Sequence, residues 1–441
     1  MVLKVFDPEI ARKTILKRMP MDEMPVPAGL QSSIEKIFGE ALTPDQAVTK
    51  IISDVRTEGD QGLRKWAEKL DGGAPEGFKA SEESIRAALR GLPNKQLKAM
   101  ELAAERIRKF HEKQPVTSWM TQDLGGTIGQ LVRPIRRVGI YIPAGTAPLP
   151  SSVLMSAVIA QVAGVKEIAL VAPPERKTGR ISSLILATAA MLGITEVYVL
   201  GGAQAIAALA YGTESIPAVD KIYGPGNLFV TLAKKQVFGV VGIDSIAGPT
   251  ETLVIADESA NPEWVAADLL AQAEHDVLAS AILLTPSKKI ITEVGAAIKE
   301  QLKERSRADV IKVSLENRSG AVLTKDLQEA VDLANLYAPE HLCLSVQDPW
   351  NLSQGIYAAG GIFVGEHSCE VLGDYVAGPS HVMPTSGSAR YISPLNVLDF
   401  VHMVSLVALD AETTRQIAPA AIQIAESEGL DAHANAARIR L

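Results

Sequence analysis

Short apolar segments alternate with helical segments from about residue 133 onward, and this alternation constrains the fold more than any other feature of the chain. Residues 138–142, 168–172 and 197–200 have the length and β-branched content of buried strands. The stretches between them, 151–163 and 181–191, are long and apolar enough to form helices. Strands that alternate with helices in this way build a parallel sheet covered by helices.

A second series of the same kind begins at residue 252. Its predicted helices cover residues 262–275, 325–337 and a segment after Ser287, and its predicted strands cover 252–256, 282–285, 321–323, 342–346 and 361–364. We therefore predict an α/β protein with two doubly wound, Rossmann-like units. Neither Gly-x-Gly-x-x-Gly after a strand nor Gly-x-x-x-x-Gly-Lys occurs, so these units lack the usual glycine fingerprint for phosphate binding.

The two ends of the chain have a different texture. The first 130 residues are mainly helical, and Thr43 followed by Pro44 is the pattern of an N-cap and a first helical residue. After Ala411 a helix rich in Ala and Ile is expected. Residues 428–440 have too few apolar positions for an independent domain, so we predict a C-terminal arm that packs on something outside itself.

Composition narrows the classes of function. The 441 residues include two cysteines, Cys343 and Cys369, and no Cys-x-x-Cys pair, which argues against a disulfide framework and a thiolate zinc finger. No apolar run approaches the roughly 20 residues of a membrane span, and the N-terminus lacks the features of a signal peptide. A net charge of −8 disfavours nonspecific binding to nucleic acid or anionic membranes. We expect a cytoplasmic protein that acts on small molecules.

Three glycine-containing segments, 141–145, 201–204 and 223–227, lie at or just after predicted strand ends. Open α/β sheets bind ligands at this edge. Gln204 and Asn227 offer amide groups there, and a helix that begins near Asn227 would present free N–H groups to a phosphate. Each segment alone fits an ordinary tight turn, but three in one unit favour a ligand site.

Potential metal ligands form three pairs: Gln272 with His275, Asp374 with His381, and Glu428 with His433. Residues three apart on a helix share a face, so the amide oxygen of Gln272 and the imidazole of His275 can approach one metal. A loop bent by glycine and proline can bring Asp374 to the same point. Such oxygen and nitrogen ligands suit zinc or manganese. Each histidine taken alone more often has a structural or surface role.

Glu340 and His341 stand next to each other between a predicted helix and a predicted strand. Pro339 ends the helix. An adjacent carboxyl and imidazole at a strand edge can supply two proton-transfer groups to one pocket. The alternative is that the pair only braces the turn.

A series of longer motifs occurs in one order: Tyr-Ile-Pro-x-Gly, Gly-Gly-Ala-Gln-Ala-Ile-Ala-Ala, Lys-Ile-Tyr-Gly-Pro-Gly-Asn, Ala-Gly-Pro-Thr-Glu, Gln-Ala-Glu-His, Pro-Glu-His-Leu and Gly-Asp-Tyr-Val-Ala-Gly-Pro-Ser-His. With these motifs the chain resembles the histidinol dehydrogenases from about residue 40 to its C-terminus. The resemblance implies a homodimeric, zinc-dependent enzyme of histidine biosynthesis. It implies oxidation of L-histidinol to L-histidine through L-histidinal, with two NAD used in succession.

The resemblance also implies roles for individual residues. Glu340 and His341 would be the catalytic pair, with His341 as the base in both oxidations and Glu340 activating water for the second. One zinc per subunit would be held by Gln272, His275, Asp374 and His433, with His433 reaching into the partner subunit. These ligands and His341 would also contact the substrate, together with Thr250, His381 and Glu428. The NAD-contacting positions would be Tyr141, Gln204 and Asn227.

The pattern of strands and helices, together with the resemblance, gives an expected domain division. It consists of an N-terminal helical segment at 1–30, a larger α/β domain at 31–134 and 255–390 that carries the catalytic and metal residues, a Rossmann-like NAD-binding domain at 135–254, and a dimerisation arm at 391–441.

Three residues depart from the family pattern. Thr250 stands where serine is usual, Ala144 where glycine is common, and Ser380 where asparagine often precedes His381. The changes at Thr250 and Ser380 could alter the substrate pocket. Two alternatives therefore stay open: a relative of the same fold that oxidises another small polar alcohol, such as a sulfonated diol, and a catalytically silent metal-binding scaffold.

Overall fold

A computed structural model describes residues 3–18, 28–143, 148–175 and 177–441. Its strands, in chain order, are β1 (Val5–Phe6), β2 (Trp119–Thr121), β3 (Thr127–Pro134), β4 (Arg137–Tyr141), β5 (Glu167–Ala172), β6 (Val197–Val199), β7 (Lys221–Tyr223), β8 (Gly242–Ile243), β9 (Glu251–Ala256), β10 (Ser280–Thr285), β11 (Gly320–Leu323), β12 (His341–Ser345), β13 (Gly361–Val364) and β14 (Val401–Ala408).

The helices are α1 (Pro8–Lys13), α2 (Ala28–Phe38), α3 (Pro44–Glu58), α4 (Asp60–Leu70), α5 (Glu82–Gly91), α6 (Asn94–His111), α7 (Pro150–Val162), α8 (Ser183–Met191), α9 (Gly202–Tyr211), α10 (Leu228–Val237), α11 (Pro262–Ala273), α12 (Lys288–Gln301), α13 (Ala308–Asn317), α14 (Leu327–Tyr337), α15 (Pro349–Ser353), α16 (Glu370–Leu372), α17 (Ala411–Ser427) and α18 (Asp431–Arg438). None of the described helices is both long and apolar enough to cross a membrane.

The chain divides into two compact units, one formed by Met1–Lys113 and Arg136–Asn396 and the other by Gln114–Ile135 and Val397–Leu441. In the first unit, five parallel strands form a sheet in the order β6-β5-β4-β7-β8. Numbered along the chain this is 3-2-1-4-5, the order of a Rossmann-like unit. The order reverses between β4 and β7.

The second sheet of this unit has the order β1-β11-β10-β9-β12-β13, and all of its pairings are parallel. Strands β9 to β13 repeat the 3-2-1-4-5 order, and β1 extends the edge beyond β11. Successive side chains point to opposite faces of a sheet. Val254 and Leu283 accordingly join one core cluster and Leu253 and Ile282 another, as expected for a parallel sheet buried on both faces.

These two sheets confirm the prediction of two doubly wound units. The predicted strands and helices of both series are observed with ends shifted by two residues at most. Helix α3 also begins as predicted, since Thr43 accepts a hydrogen bond from the N–H of Gln46 and the Gln46 side chain accepts one from the N–H of Thr43. Strand β1 was not predicted, and the segment 1–30 is therefore not purely helical where it is described.

The second unit contains a three-stranded antiparallel sheet in the order β14-β3-β2, together with helices α17 and α18. The predicted domain division differs here, because it assigned residues 31–134 to the larger α/β domain and 391–441 to a separate arm. In the structure β3 pairs with β14 along its whole length. That ladder groups residues 114–135 with the tail, and the remaining predicted boundaries stay a prediction.

Gly224 follows β7 at the point where the order of the first sheet reverses, and its φ is 107°. A Cβ at this position would lie 2.0 Å from the carbonyl oxygen of Tyr141. We expect Gly224→Ala to lower the free energy of unfolding by about 3 kcal/mol or more, because a positive φ and a backbone clash both oppose the added methyl group.

Gly239 is a matched control, since its φ is 103° but nothing lies within 4 Å of a Cβ built there. Gly239→Ala is expected to cost only the conformational penalty of about 1–2 kcal/mol. Chemical denaturation of both variants measures the difference. Equal losses would show that the close approach to Tyr141 contributes nothing.

Candidate active site

Glu340 and His341 lie at the amino end of one strand of the second sheet, β12, beside the amino end of β9. Strand β12 begins at His341 and pairs with β9, where His341 stands opposite Thr252. Helix α14 ends just before, with Ala338 at its C-cap in a left-handed conformation. Ligands of open α/β sheets usually bind at the carboxyl edge. The motif, and not the general rule for the fold, therefore located this group.

Glu340 is a buried carboxyl with defined donors. Its Oε2 accepts hydrogen bonds from the hydroxyl of Thr250 at 2.5 Å and from the N–H of Glu251 at 3.0 Å. Burial raises the pKa of Glu340 to about 7, although His341 and these hydrogen bonds oppose the rise. A carboxyl with this pKa can both accept and release a proton near neutral pH. The hydroxyl of Thr250, the residue expected to depart from the family pattern, thus donates to the catalytic candidate Glu340.

His341 is held at both ring nitrogens. Its Nδ1 lies 3.2 Å from the carbonyl oxygen of Glu251, and its Nε2 lies 3.3 Å from Oδ1 of Asp374. A carbonyl oxygen can only accept, so Nδ1 keeps its proton in both charge states of the ring, and Nε2, which donates to Asp374 in the cationic state, is the atom that exchanges one. Burial alone would lower the pKa of His341, but the carboxylates of Glu370, Glu340 and Asp374 raise it to about 10.

Carboxylates gather around His341. Side-chain atoms of His341, Glu370 and Asp374 lie within 4.8 Å of one another. Burial raises the pKa of Glu370 to about 7, and its carboxylate accepts a hydrogen bond from the hydroxyl of Thr252. The hydrogen bond from His341 keeps the pKa of Asp374 below its usual value, although burial opposes this. Buried carboxylates in excess of cationic side chains are typical of a site that holds a metal ion.

Gln272 reaches this cluster from the last turn of α11. Its side-chain amide lies between Glu370 and Thr250: in one amide orientation Nε2 donates to the hydroxyl of Thr250 at 2.8 Å, and in the flipped orientation Nε2 donates to Glu370 at 3.0 Å. The helix ends at Ala273, and a turn continues it, in which the N–H of His275 donates to the carbonyl of Gln272 at 3.2 Å. His275 is exposed, and its imidazole contributes to the low pKa of Asp374.

His381 belongs to the same region. Its Nδ1 lies 2.8 Å from the backbone oxygen of Asp374. The hydroxyl of the neighbouring Ser380 donates to the carbonyl of Met155 at 3.0 Å and accepts from the N–H of Val382 at 3.1 Å. Ser380 therefore braces the loop through backbone groups.

Glu428 and His433 belong to the second unit. Glu428 is the C-cap of α17, His433 lies in α18, and both are exposed. Their part in the site stays a prediction.

Tyr141 and Gln204 meet at the amino end of α9. The hydroxyl of Tyr141, the last residue of β4, accepts from the N–H of Gly202 at 3.2 Å, and burial raises its pKa to about 12. The amide of Gln204 is fully buried and donates to Asp71 at 3.2 Å. Asp71 also accepts from the N–H of Gly201 at 3.1 Å.

Asn227 lies at the same edge of the sheet, at the amino end of helix α10, which follows β7. It is exposed, and its side-chain oxygen caps α10 by accepting from the N–H groups of Phe229 and Val230. Tyr141 is thus the last residue of one strand, and Gln204 and Asn227 follow the carboxyl ends of two others. Their contact with a cofactor stays a prediction. Ala144 and Gly145 lie outside the described residues.

Sequence reasoning assigned no role to Glu251, Glu370 or Asp71. Glu370 and Asp374 are four residues apart, a spacing that places two carboxylates one helical turn from each other. Glu251 ends the motif Ala-Gly-Pro-Thr-Glu, for which a role was predicted at Thr250 alone. The sequence contains no local signal for Asp71, because its partners are far away along the chain.

Comparison with known proteins shows which family this chain is similar to. The family model described as histidinol dehydrogenase matches residues 40–441. The histidinol dehydrogenase of Deinococcus radiodurans is 51% identical over 421 residues, which cover 95% of this chain and 96% of that protein. The histidinol dehydrogenase of Moorella thermoacetica is 49% identical over 396 residues, which cover 89% of this chain and 93% of that protein. The crystal structure of histidinol dehydrogenase from Elizabethkingia anophelis superimposes with a TM-score of 0.90 at 36% identity, covering 100% of this chain and 98% of that one.

Proposed function

The chain belongs to the histidinol dehydrogenase family and is an enzyme, and from this premise we propose that it oxidises L-histidinol to L-histidine through L-histidinal, using two NAD in succession. The observation that carries the proposal is the buried pair of Glu340 and His341, whose hydrogen bonds orient a carboxyl and an imidazole at the amino end of β12. Two oxidations at one carbon need both groups.

The first oxidation needs a base. An alcohol releases hydride only as its O–H proton leaves, and the neutral form of His341 takes this proton at Nε2 while the hydride passes to NAD. A divalent cation bound at Asp374 would favour that neutral form, because its charge opposes the carboxylates that raise the pKa of His341. The products are the aldehyde and NADH. The donation from Nδ1 to the carbonyl of Glu251 keeps Nε2 available for this transfer.

The second oxidation needs water. An aldehyde has no hydroxyl to oxidise, so the carboxylate of Glu340 takes a proton from water as the oxygen adds to the carbonyl carbon, and His341 gives the proton that it took in the first step to the carbonyl oxygen. The hydrate that results loses its second hydride to another NAD while His341 takes the hydroxyl proton, and the product is the carboxylic acid. Thr250 and the N–H of Glu251 hold the carboxylate in place for this step.

We propose one zinc per subunit, held by Gln272, His275 and Asp374 with the partner subunit's His433. The buried carboxylates of Glu370 and Asp374 beside these donors support a divalent cation. Amide, imidazole and carboxylate ligands suit zinc. The metal would bind the imidazole and amine of the substrate and serve as a template.

The remaining contacts are proposed on the same basis. Thr250, His381 and Glu428 would contact the substrate, while Tyr141, Gln204 and Asn227 would contact NAD in the Rossmann-like domain at 135–254. Residues 391–441 would form the dimerisation arm. The second unit supports a homodimer, since Trp119, Met120 and Met403 in its sheet are at least half exposed. The two unpaired cysteines support a cytoplasmic location.

Steady-state NADH formation with L-histidinol tests the proposal. We expect two NADH per L-histidine, about one zinc per subunit by elemental analysis, and loss of at least nine-tenths of the activity after treatment with a chelator, because the template is then removed. Added zinc should restore the rate. Turnover of a small diol but not of L-histidinol would contradict the substrate, and full activity in chelator-treated protein without zinc would contradict the metal.

A further inference from the structure

We propose that Arg18 and Glu251 form a positioning pair that sets both catalytic groups, an inference that rests on the roles proposed for Glu340 and His341. Neither residue is assigned to the substrate. Arg18 lies upstream of residue 40, where the family match begins.

The two side chains form a nearly buried, bidentate ion pair. Nη1 of Arg18 donates to Oε1 of Glu251, and Nη2 donates to Oε2 at 2.8 Å. Glu251 is 4% exposed, and the guanidinium lies 3.6 Å from the centre of the Tyr337 ring. A paired guanidinium and carboxylate of this kind fix each other's orientation.

Arg18 also holds the end of helix α14. Its Nε and Nη2 donate to the carbonyl of Tyr337 at 2.8 and 2.6 Å, and Nη2 is 3.2 Å from the carbonyl of Ala338. Only Pro339 separates Ala338 from Glu340. One guanidinium therefore joins the first residue of β9 to the segment that leads into the catalytic pair.

The main chain of Glu251 contacts both catalytic groups. Its N–H donates to the carboxylate of Glu340, and its carbonyl oxygen accepts from Nδ1 of His341. Any shift of Glu251 changes the orientation of the carboxyl and the hydrogen bond that orients the imidazole together. Arg18 thus acts on two residues that it does not touch.

Backbone conformation gives independent support. Among the described residues, the non-glycine residues with positive φ are Ala338 at 50° and Ser386 at 55°. The carbonyl of Ala338 accepts from Arg18, and the N–H of Ser386 donates to Glu251 at 3.2 Å. A left-handed conformation is unfavourable for a residue with a Cβ and persists where surrounding contacts impose it. Both such residues are bonded to this one ion pair.

The test uses the full-length, zinc-loaded enzyme with L-histidinol and L-histidinal supplied separately. We expect Arg18→Met to lower kcat by about 10- to 100-fold on both substrates while KM changes less than threefold, because misplaced catalytic groups slow chemistry more than binding. Arg18→Lys should recover part of the loss. Since Arg18→Met leaves a buried charge and can impair folding, the double variant Arg18→Met/Glu251→Gln removes the charge and should keep the defect.

Arg390 provides the matched control. Its guanidinium donates to the carbonyls of Gly387 and Leu336, close to the same helix end, and its described hydrogen bonds do not include Glu251 or Ala338. Arg390→Met should keep kcat within twofold of the wild-type value. An equal loss of kcat in Arg390→Met, or wild-type kcat in the folded double variant, would overturn the proposal.

A spectroscopic readout separates this inference from the proposed function. Nitrogen-15 NMR of histidine-labelled protein, assigned with His341→Asn, should show a hydrogen-bonded Nδ1–H signal of His341 in the wild type and a shifted or exchange-broadened Nδ1–H signal in the double variant. Unchanged signals would overturn the positioning role. If wild-type protein failed to oxidise L-histidinol, the proposed function would fail while this comparison still decided the role of the pair.

Discussion

His341→Asn is expected to slow the oxidation of both L-histidinol and L-histidinal by about 10²–10⁴-fold, the usual effect of losing a positioned acid or base. Glu340→Gln should slow the oxidation of L-histidinal by a similar factor and that of L-histidinol by less than tenfold, because only the second step needs an activated water. Glu340→Gln conserves the size and shape of the side chain, and His341→Asn is smaller but keeps a polar amide in place of the near part of the ring. Rates of NADH formation with each substrate supplied alone measure the contrast.

The rate of L-histidinal oxidation is also expected to depend on pH. Burial raises the pKa of Glu340 to about 7, and the group acts on water as the carboxylate. The rate on L-histidinal should therefore rise as pH increases through 7, and Glu340→Gln should abolish this rise. If Glu340 only braces the turn after Pro339, both substrates should lose rate equally and the unfolding temperature should fall. That outcome would remove Glu340 from the chemistry.

Deletion of residues 426–441 is expected to abolish detectable activity, since it removes Glu428 and His433 together. His433→Ala alone should lower both zinc content and turnover, because it removes one of the proposed ligands. Elemental analysis and NADH formation measure the two effects. Full zinc occupancy and full turnover in His433→Ala would remove this residue from the site.

Mixed dimers test whether one site draws on both chains. Chains that carry His341→Ala and His433→Ala, given different tags and purified as a heterodimer, should have about half of the wild-type activity, because one of the two sites then has both residues intact. A heterodimer of His341→Ala and Glu340→Gln chains is the control, and both heterodimers are assayed on L-histidinal, which needs both residues. Neither site of the control should be complete, since each chain supplies this adjacent pair to one site. No activity in the first heterodimer would show that each site is built from one chain.

Local pattern in the sequence was enough for the elements of the fold and for part of the site. Hydrophobic periodicity and turn residues act over a few neighbours, and they located the strands of both Rossmann-like units and the cap at Thr43. Glu340 and His341 are covalent neighbours, so their proximity needed no folding to be recognised. The motif could not show that burial raises the pKa of Glu340 to about 7.

Tertiary structure alone decided which distant residues act together. The pairing of β3 with β14 joins residues 127–134 to 401–408, and the Arg18–Glu251 pair joins an N-terminal segment to the catalytic strands. No local propensity encodes these contacts. They form because a buried carboxylate is stable only when it is paired with a cation, and because the N–H and C=O groups of a strand need hydrogen-bond partners. In the folded chain, residues far apart in the sequence supply these partners.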